Sequence, residues 1–239
     1  MTKLLFLFVL PFHCYPFTVL IDPGHGGAFD GCASFDKKVL EKNLTLDIAL
    51  RMAPLLKSHN IMVVYSRTTD RHFDKSLDKK AHFDPDTLTS QEQENYKQHL
   101  NADLAERVRT IKQKKPDIVI SLHANSGGKT THGFELFIPF EKKFPAESYM
   151  LAAHIHHALV HGTEQHWRGT LGNLNAQDRG IRQARFNILR NMPCPIVLIE
   201  MDYITHSKVE NQFLQESYKQ KIASVLSAGI LEYYKTIAY

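Results

Sequence analysis

Residues 17–27, Phe-Thr-Val-Leu-Ile-Asp-Pro-Gly-His-Gly-Gly, carry an apolar run from Phe17 to Ile21 straight into a turn framed by proline and glycine. A short apolar run closed by turn residues reads as a buried strand, and the turn presents the His25 imidazole at its end. Glu41 opens an amphipathic stretch, and a second buried-looking strand, Asp117 to Leu122, ends in His123. Two histidines and one carboxylate at element ends suit a zinc ion, with a fourth position left open for water.

The rest of the chain repeats this alternation. Leu44, Ile48, Met52, Leu55 and Leu56 recur at helical spacing, broadened by Leu46, Leu50 and Ala53, with Pro54 expected to kink that helix or end its regular part. Ile61 to Tyr65 reads as a buried strand, Leu104 to Ile111 as a helix running into solvated Lys112 to Lys115, and Gly133 to Ile138 as a strand. Tyr149 to Val160 is helical in pattern. Ile196 to Ile199 is a strongly apolar strand ending in Glu200, and Phe213 to Tyr234 is a long helical pattern. The fold class that follows is α/β: a mostly parallel open sheet with helices on both faces. Such sheets collect ligands at the carboxyl ends of their strands, where His25, His123 and Glu200 all fall.

A chain of 239 residues with 43% hydrophobic composition buries a good core in one domain, and no recurring segment points to a repeat array. The net charge of +4 is spread along the chain, which argues against nucleic acid as a partner. Residues 1–16 read as a signal peptide: Lys3 precedes a Leu4 to Phe12 core too short to span a bilayer. The expected location is therefore exported, in the periplasm or cell envelope, with no stable membrane span after cleavage. His13-Cys14-Tyr15-Pro16 lacks small residues, so the cut site stays open. A retained anchor is the alternative, and the bulky His13 argues against lipidation of Cys14. Export would permit Cys32 and Cys194 to pair, and two free thiols are the other reading. Residues 17–239 form the expected catalytic domain. Within it, residues 71–103 are rich in charges and amides, and read as a surface insertion with one helix near Ser90 to Leu100.

The segments IDPGHGG, EKNLTLDIALRM, VVYSRTTD, LAERV, ISLHANS, GFELF and GIRQARFNILRNMPCPIVLIEMDYIT stand in one order along the chain. In that order they resemble the zinc-dependent N-acetylmuramoyl-L-alanine amidases, the Amidase_3 group of cell-wall hydrolases. The resemblance implies hydrolysis of the amide between N-acetylmuramic acid and L-Ala of peptidoglycan, a role in wall remodelling or division, and an activator protein as a candidate partner. It implies His25, Glu41 and His123 as zinc ligands and Glu200 as the catalytic carboxylate that shuttles the proton. Arg190 and Asn125 are assigned to substrate binding. Asp202 departs from the small residue common in the family two positions after the catalytic Glu, and a like charge there would raise the Glu200 pKa further. Some relatives carry a long blocking segment between the second His motif and the last strand, and the short stretch Glu141 to His161 argues against one here.

Blander readings stand beside these. Glu41 also suits a helix N-terminus. His154, His157 and His161 share a helix face, which is by default a polar face and not a second metal site. Arg182 and Arg185 are as well explained by surface salt bridges as by substrate carboxylates. Two alternatives to the amidase are carried: a zinc peptidase or carboxypeptidase on the stem peptide, and a non-catalytic wall-binding protein.

Overall fold

The computed structural model describes residues 16–79, 81, 83, 88–140, 144–161 and 179–238. The expected signal core, Cys14 and part of the expected insertion lie outside these residues. Among the described residues, six strands form one sheet: β1 (Thr18–Pro23), β2 (Met62–Tyr65), β3 (Ile118–Asn125), β4 (Glu135–Pro139), β5 (Ile181–Ala184) and β6 (Ile196–Tyr203). Their order is β2-β1-β3-β6-β4-β5. The first four in that order run parallel, β4 runs antiparallel to β6, and β5 follows β4 in parallel. Among the described residues, six helices cover the sheet: α1 (Glu41–Lys57), α2 (Ser90–Gln113), α3 (Pro145–His161), α4 (Asn187–Asn191), α5 (Ser207–Phe213) and α6 (Glu216–Ile237).

Strand alternation sorts the side chains onto two faces. Val19 and Ile21, then Ile118, Ile120 and Leu122, then Val197 and Ile199 pack with α1, α3, α5 and α6. Their neighbours Leu20, Val119, Ile196 and Leu198 pack with Val108 and Ile111 of α2 and Ile188 and Leu189 of α4. These strands are buried on both sides, which is why they read as continuous apolar runs. Each fully buried Leu or Ile contributes roughly 1.5 to 3 kcal/mol relative to exposure.

Several elements differ from their sequence expectation. Helix α1 continues through Pro54, which is exposed, so the Leu50 carbonyl it leaves unbonded can turn to water. The pattern from Phe213 to Tyr234 is two helices, and Phe213 and Tyr218 meet edge-on at 5.5 Å across the break between α5 and α6. Strands β3 and β6 run beyond Leu122 and Ile199, so His123 and Glu200 sit inside the last turns of pairing rather than after them.

The segment at 71–103 divides in two. Ser90 to Asp103 is the front of one continuous helix, α2, started by a capping box between Thr89 and Glu92. Its only buried residues are Asp103, Arg107, Val108 and Ile111, so its first half carries no apolar stripe for sequence reasoning to follow. Residues 71–79 are stitched to it. Asp103 accepts the backbone N–H groups of Phe73 and Asp74, and the Asp74 carboxylate meets His99 Nδ1 at 2.8 Å. The Phe73 ring is buried under the guanidinium groups of Arg71 and Arg107, at 4.6 and 4.5 Å from its centroid.

Candidate metal centre and its neighbours

Strand β1 connects through α1 to β2 on one side, while β3 lies on its other side, so the topology switches direction between the ends of β1 and β3. His25 follows β1 at that point, His123 comes from β3, and Glu41 opens α1. A single oxygen, Glu41 Oε1, stands 3.1 Å from His25 Nε2 and 2.9 Å from His123 Nδ1. It also accepts the Ala124 N–H at 3.0 Å, while Oε2 accepts the Cys32 N–H at 2.8 Å, which fixes the carboxylate plane. The donor atoms of the three residues lie within 4.8 Å of one another, the only such cluster of three or more among the described residues.

Burial opposes ionisation of Glu41, but His25 and His123 outweigh it and hold its carboxyl well below the usual range. Burial likewise opposes protonation of His123, and Glu41 overcomes it and raises the imidazole. Each partner thus favours the charged form of the other, so the cluster is a site built to surround positive charge. Two imidazoles and a carboxylate from separate rigid elements are also the donor chemistry of a zinc centre with an open position.

The turn holding His25 is strained and clamped. His25 itself has φ of 58°, a left-handed conformation that costs a non-glycine residue on the order of 1 kcal/mol. Two buried arginines hold this backbone. Arg67 donates to the carbonyls of Pro23 at 3.1 Å, Gly24 at 2.8 Å and Lys42 at 2.7 Å. From the other side, Arg107 donates to the Pro23 carbonyl at 2.8 Å, to the His25 carbonyl, and to Asp22 Oδ1 at 3.0 Å. Burial, then repulsion from Arg107, push the Arg67 guanidinium down to about 10, still a cation at neutral pH. Two glycines make room for the cluster. A Cβ on Gly24 would stand 2.5 Å from the His123 ring, and one on Gly31 would stand 2.4 Å from Glu41 Oε2 and 2.6 Å from the His25 ring. Beside the cluster, a cavity of about 190 Å³ lies between β1 and α2, lined by Phe29, Leu100, Leu104 and Ile188 as well as His25 and His123.

Glu200 on β6 is the register partner of His123 on β3. Burial pushes its carboxyl up to about 7, with His123 opposing and Glu41 and Glu135 adding. Its Oε2 is buried without a hydrogen-bond partner among the described residues. The like charge expected from Asp202 is supplied instead by Glu135, which lies directly across the β4–β6 pair, while Asp202 Oδ1 accepts the N–H groups of Gly133 and Tyr203, both at 2.7 Å.

The other expected residues are placed as follows. Asn125 ends β3, past an irregularity that separates it from His123, and its Oδ1 accepts the Ser126 N–H at 2.9 Å. Arg190 is exposed in the last turn of α4 before β6 begins, and no side-chain contact ties it to His25, Glu41 or His123. Cys32 and Cys194 pack against opposite faces of the sheet, which rules out their pairing with each other in this fold. His154 meets Tyr233 and His157 meets His161, so the helix-face histidines contact rings and form no donor cluster. Arg67, Arg107, Gly31 and Glu135 were missed by sequence reasoning. The available signal was a charged residue inside or directly after an apolar run, as in MVVYSR at 62–67 and RVRTI at 107–111.

Taken together, these features define an α/β domain with a candidate metal centre at a strand-order switch. Residues 19–232 match the family model described as N-acetylmuramoyl-L-alanine amidase, Amidase_3, and the chain belongs to that family. It is 27% identical over 219 residues to the N-acetylmuramoyl-L-alanine amidase LytC of Bacillus subtilis, covering 91% of this chain but 36% of LytC. The crystal structure of an N-acetylmuramoyl-L-alanine amidase from Clostridium difficile 630 superposes with a TM-score of 0.69 at 26% identity, covering 93% of this chain and 98% of that one. The CwlD amidase from Clostridioides difficile, solved in complex with the GerS lipoprotein, shares the fold with a TM-score of 0.70 at 23% identity, covering 92% of this chain and 98% of that one.

Two substitutions test this geometry. If the cluster holds a metal, Gly31→Ala should leave the protein folded while weakening that binding roughly 10- to 100-fold, since it displaces Glu41 and His25 together; isothermal titration with zinc reads this directly. Arg67→Met removes buried charged donors to the carbonyls of Pro23, Gly24 and Lys42 and should cost about 3 kcal/mol or more in chemical denaturation.

Proposed function

We propose that the chain is a zinc amidase of the cell envelope that hydrolyses the amide joining the lactyl group of N-acetylmuramic acid to L-Ala of peptidoglycan. His25, Glu41 and His123 would hold the metal, and Glu200 would carry the proton. One observation supports this most: a Glu41 oxygen shared by two imidazoles, beside a buried carboxyl whose second oxygen has no partner among the described residues. The chain spans about a third of LytC, so the activity is assigned from the domain and not from the whole relative.

When bound, zinc supplies Lewis acidity toward the scissile carbonyl and lets water ionise near neutral pH. The chain's own residues do the rest. Glu200, whose carboxyl titrates near neutrality in the metal-free chain, takes the proton of the attacking water and returns it to the departing L-Ala nitrogen. A nearby divalent cation would pull that value down, which keeps Glu200 ionised and ready to act first as base. Glu41, fixed by the Ala124 and Cys32 N–H groups, presents its carboxylate to the metal position in one orientation. An envelope location agrees with a substrate outside the cytoplasmic membrane. No described helix is long and apolar enough to cross a membrane.

Glu200→Gln should keep one zinc per chain, read by elemental analysis, and lose about a hundredfold or more in turnover. Mass analysis of digested peptidoglycan should show intact lactyl carboxylates and free L-Ala amino groups, with no release after chelation. Near-normal turnover by Glu200→Gln, or cleavage within the stem peptide instead, would sink the assignment.

A further inference from the structure

Two carboxylates facing each other across an antiparallel strand pair normally repel, yet Glu135 and Glu200 are direct register partners and Glu135 is almost fully buried. The compensation comes from Arg179, just ahead of β5. Its Nε pairs with Glu135 Oε1, and the same oxygen accepts the Tyr203 hydroxyl at 3.1 Å. The Arg179 guanidinium also lies over the Tyr203 ring, 5.3 Å from its centroid. Arg179 is therefore gripped along its Nε edge and its face, while its side chain keeps 27% exposure. Its two Nη atoms have no hydrogen-bond or ion-pair partner among the described residues. A guanidinium immobilised this way, with its terminal fork open, is preorganised for one chemistry: two parallel N–H bonds to a carboxylate.

The position of Arg179 decides which part of the substrate it meets. Glu135 stands on the far side of Glu200 from His123, in the order β3-β6-β4, and Arg179 lies beyond it toward β5. Glu200 delivers its proton to the departing nitrogen, so the leaving peptide extends on the Glu200 side of the cleft and the sugar on the other. We propose that Arg179 is a specificity residue that binds a carboxylate of the released stem peptide, with Glu135 and Tyr203 as the residues that position it. This rests on the amidase reading of the same site. The arginine chosen from sequence, Arg190, has no comparable framework around it.

The test compares N-acetylmuramoyl-L-Ala-D-Glu, its γ-carboxyl capped as the methylamide, with the same compound amidated at the α-carboxyl, which replaces the one remaining side-chain or terminal carboxylate of that residue by a neutral amide. The wild type should prefer the carboxylate in kcat/KM by roughly tenfold to a hundredfold. Arg179→Gln should erase that preference while still cleaving the amide form, and Arg179→Lys should retain part of it through charge without the fork. Equal loss on both substrates, or no preference in the wild type, would overturn the proposal and leave Arg179 a structural partner of Glu135. A second measurement is independent of turnover: NMR titration with the free γ-capped L-Ala-D-Glu peptide and its α-amide. Selective binding of the acid by wild type and not by Arg179→Gln supports the site even if neither substrate is cleaved, an outcome that would sink the amidase reading alone. Absence of selective binding counts against the site.

Discussion

Everything at the candidate centre depends on the hydrogen bonds from two buried guanidinium groups to the carbonyls of residues 23–25. The turn after β1 must place His25 in a left-handed conformation at the point where two chain directions diverge, and a backbone in that state relaxes unless its surroundings hold it. Arg67 and Arg107 approach it from β2 and α2, so the turn is fixed by elements far apart in sequence. Burying two cations this close together is costly, and carbonyl dipoles together with the carboxylates of Asp22, Asp70 and Asp103 offset it. Such an arrangement is poor economy for stability alone. It makes sense as the cost of holding one imidazole still.

The same clamp links the exposed periphery to the centre. Arg107 reaches the turn from α2 and at the same time covers Phe73, whose backbone is held by Asp103 one helical turn away. The segment at 71–79 therefore shares a residue with the framework of His25 and does not hang free of it. On the opposite flank, Glu135, Arg179 and Tyr203 brace Glu200 through the β4–β6 pair. The cleft is bounded by one set of charges that hold the backbone and another that borders the proton carrier.

Much of this was legible in the sequence where burial and periodicity agree. The doubly buried strands around Val19, Ile120 and Val197 announced themselves as apolar runs, and the residues at or near their ends, His25, His123 and Glu200, are neighbours in space. What stayed hidden has a common physical cause. Helix α2 is a single helix, but its front half is polar because it faces water and contacts the core only from Asp103 onward, so periodicity could not join it to Leu104. The buried arginines look like surface residues in a linear sequence, since nothing local reveals that their donors are spent on carbonyls more than 20 residues away. Glu135, unremarked in the sequence, takes the place expected of Asp202 because strand pairing, not sequence distance, decides which carboxylate faces Glu200. A strand order in which β4 and β5 reverse against β6 is not encoded in any local pattern.

The central claim is that three residues from separate elements, held by this clamp, form one metal centre. Anomalous diffraction at the zinc edge from crystals soaked in the metal tests it most directly. The account predicts a single strong peak bounded by His25, Glu41 and His123, abolished in His123→Ala crystals that retain the fold. A peak elsewhere in the molecule, or none at this cluster at saturating zinc, would contradict it.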